Sequence, residues 1–410
     1  MKFSLHVLVL FLALLAHGPV DANAKKIDDY HWTGVDRVVA IADLHGDYGQ
    51  YIEVMKSAGL IDKSGKWSGG QTHLVQTGDI TDRGADSRKI IDHLVKLSKQ
   101  AKKKGGYVHL LIGNHETMNV VGDLRYVAPG EFAAFATKNS PRLQELQWQH
   151  QLEWMQANTP NFEELDLEAF RKEWEQQVPL GWVEHRQAWS VNGEYGKWVE
   201  GNAVAIQIND TIFLHGGISA KYCRLSLQSL TEEVIAAMQN YDRTAISIMN
   251  DPLGPVWYRG LALEEETDIF SQTLDNILNR YGAKRIVIGH TPTGGVVWPR
   301  FDQRVVANDS GIATYYGAHK GLLELTADGA TAIYGEQRIP LPRENSGRED
   351  YLRAVIEADS NNAQMKERLA RMLAPPTEET GVITGDENAE EPEAGETQTA
   401  ETIPVPGTCQ

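Results

Sequence analysis

Thr72-His73-Leu74-Val75-Gln76-Thr77-Gly78-Asp79-Ile80-Thr81-Asp82-Arg83-Gly84 decides the reading of this chain. Its first half is a short β-type run, and its second half gathers two carboxylates, an arginine and two glycines. The arrangement recurs along the sequence. Residues 37–42 lead into Asp43-Leu44-His45-Gly46-Asp47, and residues 107–112 into Gly113-Asn114-His115-Glu116. Residues 211–214 lead into His215-Gly216-Gly217, and residues 285–288 into Gly289-His290-Thr291. Each run is short and rich in Val, Ile and Leu, as buried strands are. Residues just past a strand can converge over the sheet's edge with those of neighbouring strands. Carboxylate, imidazole and amide oxygen without thiolate describe a site for hard-to-intermediate divalent cations.

Amphipathic stretches at 48–58 and 88–102 separate the first three runs, and this βαβα alternation predicts an α/β fold. Residues 117–200 differ in character. They hold Trp148, Trp154, Trp174, Trp182, Trp189 and Trp198, with helical periodicity over 141–177. We read them as a helical insert beside the core, either a lid or a packing subdomain. Pro340-Leu341-Pro342 closes the core, which spans 25–345, and residues 346–374 predict one further helix. Residues 375–410 are rich in Pro, Glu and Thr, with nine acidic residues and no Lys or Arg. Such composition cannot offset its ordering entropy, so a disordered acidic tail is expected.

The 410 residues carry a net charge of -17, more than half of it in that tail. A mildly acidic body argues against nucleic acid as the main partner. Cys223 and Cys409 are the only cysteines, which excludes a disulfide framework and any CxxC site. Residues 1–24 read as a secretory signal: Lys2, an apolar run over 7–16, then Ala22-Asn23-Ala24. A bilayer span needs roughly 20 apolar residues, so the expectation is export, to periplasm or medium, with no membrane anchor after cleavage. No GxxxxGK[ST] loop and no GxSxG elbow occur, and the residue six after Cys223 is Ser229, not Arg. These absences leave no nucleotide-cradling loop, no serine nucleophile elbow and no cysteine-based phosphate loop.

The ordered motifs DxH, GDxxDRG, GNHE, HGG and GHT resemble the calcineurin-like metallophosphoesterase superfamily. DRG and GNHE are similar to its phosphoprotein phosphatase branch. Gly196-Lys197-Trp198 and Gly254-Pro255-Val256-Trp257-Tyr258-Arg259 resemble the bacterial Shewanella-like phosphatases. The resemblance implies an α/β core with a central β-sandwich flanked by helices, and two divalent cations (Mn, Fe or Zn). Asp43, His45 and the bridging Asp79 would hold one. Asp79, Asn114, His215 and His290 would hold the other. It further implies that His115 protonates the leaving oxygen, that Asp82 orients His115, and that Arg83 and Arg259 grip phosphate. Many diesterases of the superfamily carry GHxH, but Pro292 stands here at the final His, as in the phosphoprotein phosphatases. The expected substrate is a phosphorylated peptide or small phosphomonoester, by serine/threonine or tyrosine dephosphorylation. A nucleotide or diadenosine polyphosphate hydrolase, with the tryptophans stacking a base, and a non-catalytic binding protein are the rivals.

Overall fold

Strands buried on both faces are apolar throughout rather than alternating, and this accounts for the runs that precede the polar clusters. A computed structural model of the chain describes Lys25, Lys26, residues 28–374 and Cys409. The expected leader, and the acidic tail apart from Cys409, lie outside the described residues.

The first strands are β1 (Lys25–Lys26), β2 (His31–Thr33), β3 (Arg37–Ile41), β4 (His73–Gln76) and β5 (Tyr107–Leu110). The middle of the chain gives β6 (Ala205–Ile208), β7 (Thr211–Leu214) and β8 (Arg285–Ile288). Then come β9 (Trp298–Arg300), β10 (Val305–Ala307), β11 (Gly321–Thr326), β12 (Gly329–Tyr334) and β13 (Gln337–Pro340). They form a six-stranded sheet ordered β13-β12-β11-β3-β4-β5 and a seven-stranded sheet ordered β1-β2-β6-β7-β8-β10-β9. β3, β4 and β5 run parallel, and so do β7, β8 and β10, so their carboxyl ends share an edge of each sheet.

Val38, Ala40, Val75, Phe213, Val287, Val306 and Leu323 make a common core from both sheets. The alternate residues Val39, Ile41, Leu74, Ile212, Ile286 and Ile288 turn to the other faces. There the residues of the six-stranded sheet meet helices α1 (Tyr48–Ser57) and α2 (Ser87–Lys102). A helix α3 (Asn114–Val121) follows β5 directly and is buried along nearly its whole length. The result is a mixed α/β fold with two packed sheets flanked by helices.

The insert contributes α4 (Pro129–Phe135), α5 (Ser140–Asn158), α6 (Leu167–Gln177), α7 (Trp182–Trp189) and α8 (Glu194–Glu200). Trp148, Trp174 and Trp182 pack together, Trp189 and Trp198 join the main core, and Trp154 is exposed. Trp148 and Trp174 lie 5.2 Å apart, centroid to centroid, over Val178, and Trp189 stacks on Tyr195. α9 (Leu227–Gln239), α10 (Gly260–Leu263) and α11 (Asp268–Tyr281) follow, with α9 and α11 backing the seven-stranded sheet.

Two expectations change. The single C-terminal helix over 346–374 is a pair, α12 (Arg348–Ala358) and α13 (Ala363–Leu373). Asn362 caps α13 by accepting from the Met365 amide at 3.1 Å and donates to the Gly294 carbonyl, so the chain turns there. Tyr351, Leu352, Val355 and Met365 fill the core between the sheets, and these helices are structural closures. Cys223 and Cys409 are joined by a disulfide, both buried. Two lone cysteines make no framework, but the chain's end is fastened to the body. Sequence spacing carries no information about a pairing across 186 residues.

Candidate active site and metal centre

The polar clusters that follow β3, β4, β5, β7 and β8 come together. Five of their residues hold left-handed backbone: His45 (φ 42°), Asp79 (56°), Asp82 (72°), Arg83 (64°) and His290 (67°). Each such conformation costs a side-chain-bearing residue on the order of 1–3 kcal/mol and persists only where its surroundings impose it. The imposing bonds are visible. Leu44 and His45 amides donate to the Asp79 carbonyl (2.9 and 3.1 Å), Gly46 to Ile80, and Gly84 to the His45 carbonyl. Gly84 has to be glycine, since a Cβ would lie 2.5 Å from the Gly46 carbonyl and from His45. Glu116 accepts from the Gly113, Asp79 and Ile80 amides at 2.8–2.9 Å, locking the second loop to the start of α3.

Two groups of three donors have all their ligand atoms within 4.8 Å of one another: His45, Asp79 and His115, and Asp79, His215 and His290. Asp79 belongs to both. Tautomers follow from the hydrogen bonds behind each ring. His215 Nδ1 donates to the Thr77 carbonyl, which leaves the Nε2 lone pair facing Asn114 Oδ1 (2.9 Å), His290 Nδ1 (3.1 Å) and Asp79 Oδ2 (3.2 Å). His290 Nε2 donates to the Trp257 carbonyl, so its Nδ1 is also a lone pair. In these tautomers four acceptors converge at contact distance, an arrangement that a bound cation would relieve. His45 Nδ1 donates to Thr81, and its Nε2 lies 3.8 Å from Asp43 Oδ2.

Charge supports this fit. Burial, then His115, lowers His45 to about 3, and burial with Arg259 holds His290 well below its usual value; both rings stay neutral donors. Burial would raise Asp79, but His215, His115 and His45 together carry it well below the carboxylate range. Burial, then Asp309 and Asp79, pushes Asp43 well up. Asp43 joins neither compact group among the described residues, and its oxygens accept the His290 amide at 3.1 and 3.2 Å. The residues suit two divalent cations sharing Asp79.

His115 sits in the first turn of α3. Its Nδ1 meets Asp82 Oδ2 at 2.6 Å and its Nε2 lies 3.8 Å from Asp79. Burial opposes its protonation, but Asp79 and Asp82 outweigh burial and raise its pKa. Arg83 stands at the mouth, its guanidinium 3.9 Å from the Tyr126 ring and 4.7 Å from that of Tyr315, with Nη1 donating to the Tyr315 hydroxyl. Arg259 is turned inward and donates to the His290 carbonyl (2.7 Å) and Thr291 hydroxyl.

Several residues of the site escaped the sequence reading. Asp309 is buried, and burial raises its carboxyl to about 6. Tyr316 lies 5.2 Å from His45, and Asn119 bonds Asp82. A signal for Asp309 existed: Val305–Ala307 followed by Asn308-Asp309-Ser310 repeats the strand-then-cluster pattern, but three residues of strand are too few to stand out.

The calcineurin-like phosphoesterase family matches residues 36–294, and the chain belongs to it. It is a metal-dependent phosphoric ester hydrolase. Shewanella-like protein phosphatase 2 of Arabidopsis thaliana is 30% identical, covering 76% of this chain and 80% of that one. An uncharacterised protein of Schizosaccharomyces pombe is 28% identical over 72% of this chain and 79% of its own. Among solved structures, the cold-active protein-tyrosine phosphatase of a psychrophilic Shewanella superposes with a TM-score of 0.58 at 28% identity. That match covers 77% of this chain and 83% of that one.

Proposed function

We propose that the chain is a dinuclear-metal phosphomonoesterase of the phosphoprotein phosphatase type, acting outside the reducing cytosol. The observation that carries this is Asp79, one carboxylate common to two buried donor groups. Two cations bound there would clamp phosphoryl oxygens and turn a water into a nucleophile. The chain's own residues do the rest. Asp43, His45, Asp79, Asn114, His215 and His290 would hold the cations. Arg83, half-exposed at the mouth, takes a phosphate oxygen through its free donors. Arg259 holds the His290 loop and leaves its remaining donors for the same anion. His115, kept in one tautomer by Asp82, gives its Nε2 proton to the leaving oxygen.

A phosphotyrosyl peptide is the substrate we favour. Tyr126 and Tyr315 flank Arg83 and Tyr316 lies beside His45, an aromatic neighbourhood that suits an aromatic leaving group. Trp148, Trp174 and Trp189 are buried, which leaves Trp154 as the exposed indole that a nucleotide substrate would have to use. The leader-like start and the Cys223–Cys409 bond support export, since disulfides persist in oxidising compartments. The test is a panel on metal-reconstituted protein lacking residues 1–24: phosphotyrosyl peptide, phosphoseryl peptide, nucleoside phosphates and diadenosine tetraphosphate. Highest kcat/KM on the phosphotyrosyl peptide is expected. Preference for the dinucleotide would replace this reading.

A further inference from the structure

Asp82 holds the proton-donor ring through one oxygen, and its other oxygen is also occupied. Asn119 lies four residues after His115 on α3, buried. Its Nδ2 donates to Asp82 Oδ1 and to the His115 carbonyl, both at 2.9 Å. The carboxylate is thus fixed at both ends, Oδ1 by the amide and Oδ2 by the imidazole. A carboxylate held at one end only can rotate about its Cβ–Cγ bond, and the ring it holds rotates with it.

Asn119 is itself held from the insert. Its carbonyl accepts from Arg186 Nη1 at 2.6 Å, and Arg186 belongs to α7. The guanidinium lies against Gly122, the left-handed residue (φ 90°) that ends α3, where a Cβ would come within 2.8 Å of Arg186 Nη2. A cation there satisfies a carbonyl of the last turn and complements the negative end of the helix. The order is continuous: α7, Arg186, the end of α3, Asn119, Asp82, His115.

We propose that Asn119 and Arg186 are positioning residues for His115, and that the insert acts on the reaction by bracing its proton donor. This rests on the reading of His115 as the acid. The bracing matters only where a proton must reach the leaving oxygen, so its loss depends on leaving-group basicity.

The experiment compares nitrophenyl phosphate, whose leaving group departs as a stable anion, with an alkyl phosphate, whose leaving group needs the proton. Asn119→Ala, Arg186→Met, Arg186→Lys and His115→Asn are measured for kcat, KM and metal content. For Asn119→Ala, kcat on the alkyl ester should fall about ten- to a hundredfold, the scale of an ångström-sized misplacement. Loss on the nitrophenyl ester should be small, with KM and metal content kept. Arg186→Met should show the same selective loss more weakly, and Arg186→Lys, which still donates to the Asn119 carbonyl, should recover part of it. If Asn119→Ala does not fold, the two Arg186 variants decide. Selective loss in His115→Asn beside equal or absent losses in the others overturns the bracing alone. Equal loss on both esters in His115→Asn, with metals retained, overturns the acid reading and the bracing with it.

Discussion

Asp79 meets three demands at once. Its carboxylate faces both donor groups, its Oδ1 accepts the His115 amide at 3.0 Å, and its backbone is left-handed. Gly113 beside it leaves the room: a Cβ there would sit 2.1 Å from Asp79 Oδ1. Asp79→Asn keeps the size and removes the charge and one strong donor oxygen. Occupancy of both cations should fall and turnover should be abolished, as read by elemental analysis and phosphate release. Full metal content with near-normal turnover would show that Asp79 is not shared. At this scale much of the site was legible in sequence, because ligand chemistry is local: a carboxylate or imidazole straight after a strand announces itself. Asp309 and Asn119 were not. One follows a strand of three residues, and the other has its role only through a loop folded against its helix.

Glu131 shows what one element contact can do. It lies in α4, buried, and accepts the Ser87 amide at the start of α2 at 3.1 Å. Burial raises its carboxyl from 4.5 to about 7. Between pH 4.5 and 7 the folded chain keeps a proton that the unfolded chain has lost, so stability falls as pH rises through that window. The penalty is complete above 7, at about 3 kcal/mol. Glu131→Gln, always neutral, should match the native protein in urea unfolding near pH 5 and be the more stable near pH 8. Equal midpoints at both pH values would place the charged form comfortably in the fold. The helices over 48–57 and 87–102 and the five strands were readable because their apolar periods are strong. The break at Asn362 was not, since that cap acts through a bond to Gly294 that only the folded chain makes.

Across the whole molecule, two sheets meet face to face and a disulfide closes the chain's end on the loop after β7. Sequence signalled the sandwich only through its resemblance to a family, because pairing between distant strands is a property of register, not of composition. The disulfide ties Cys409 into a buried cluster near Leu227 and Leu230, so Cys409→Ser should cost about 2–5 kcal/mol of stability. Thermal unfolding with and without reductant would show it, and an unchanged midpoint would mean that the bond is incidental. The central claim concerns the paired cations. Chelator-stripped protein lacking residues 1–24 is titrated with Mn, Fe or Zn while phosphate release from nitrophenyl phosphate is followed. The account predicts no turnover in the stripped protein and a rise that saturates at two equivalents per chain. Turnover that survives stripping, or saturates at one equivalent, would contradict it.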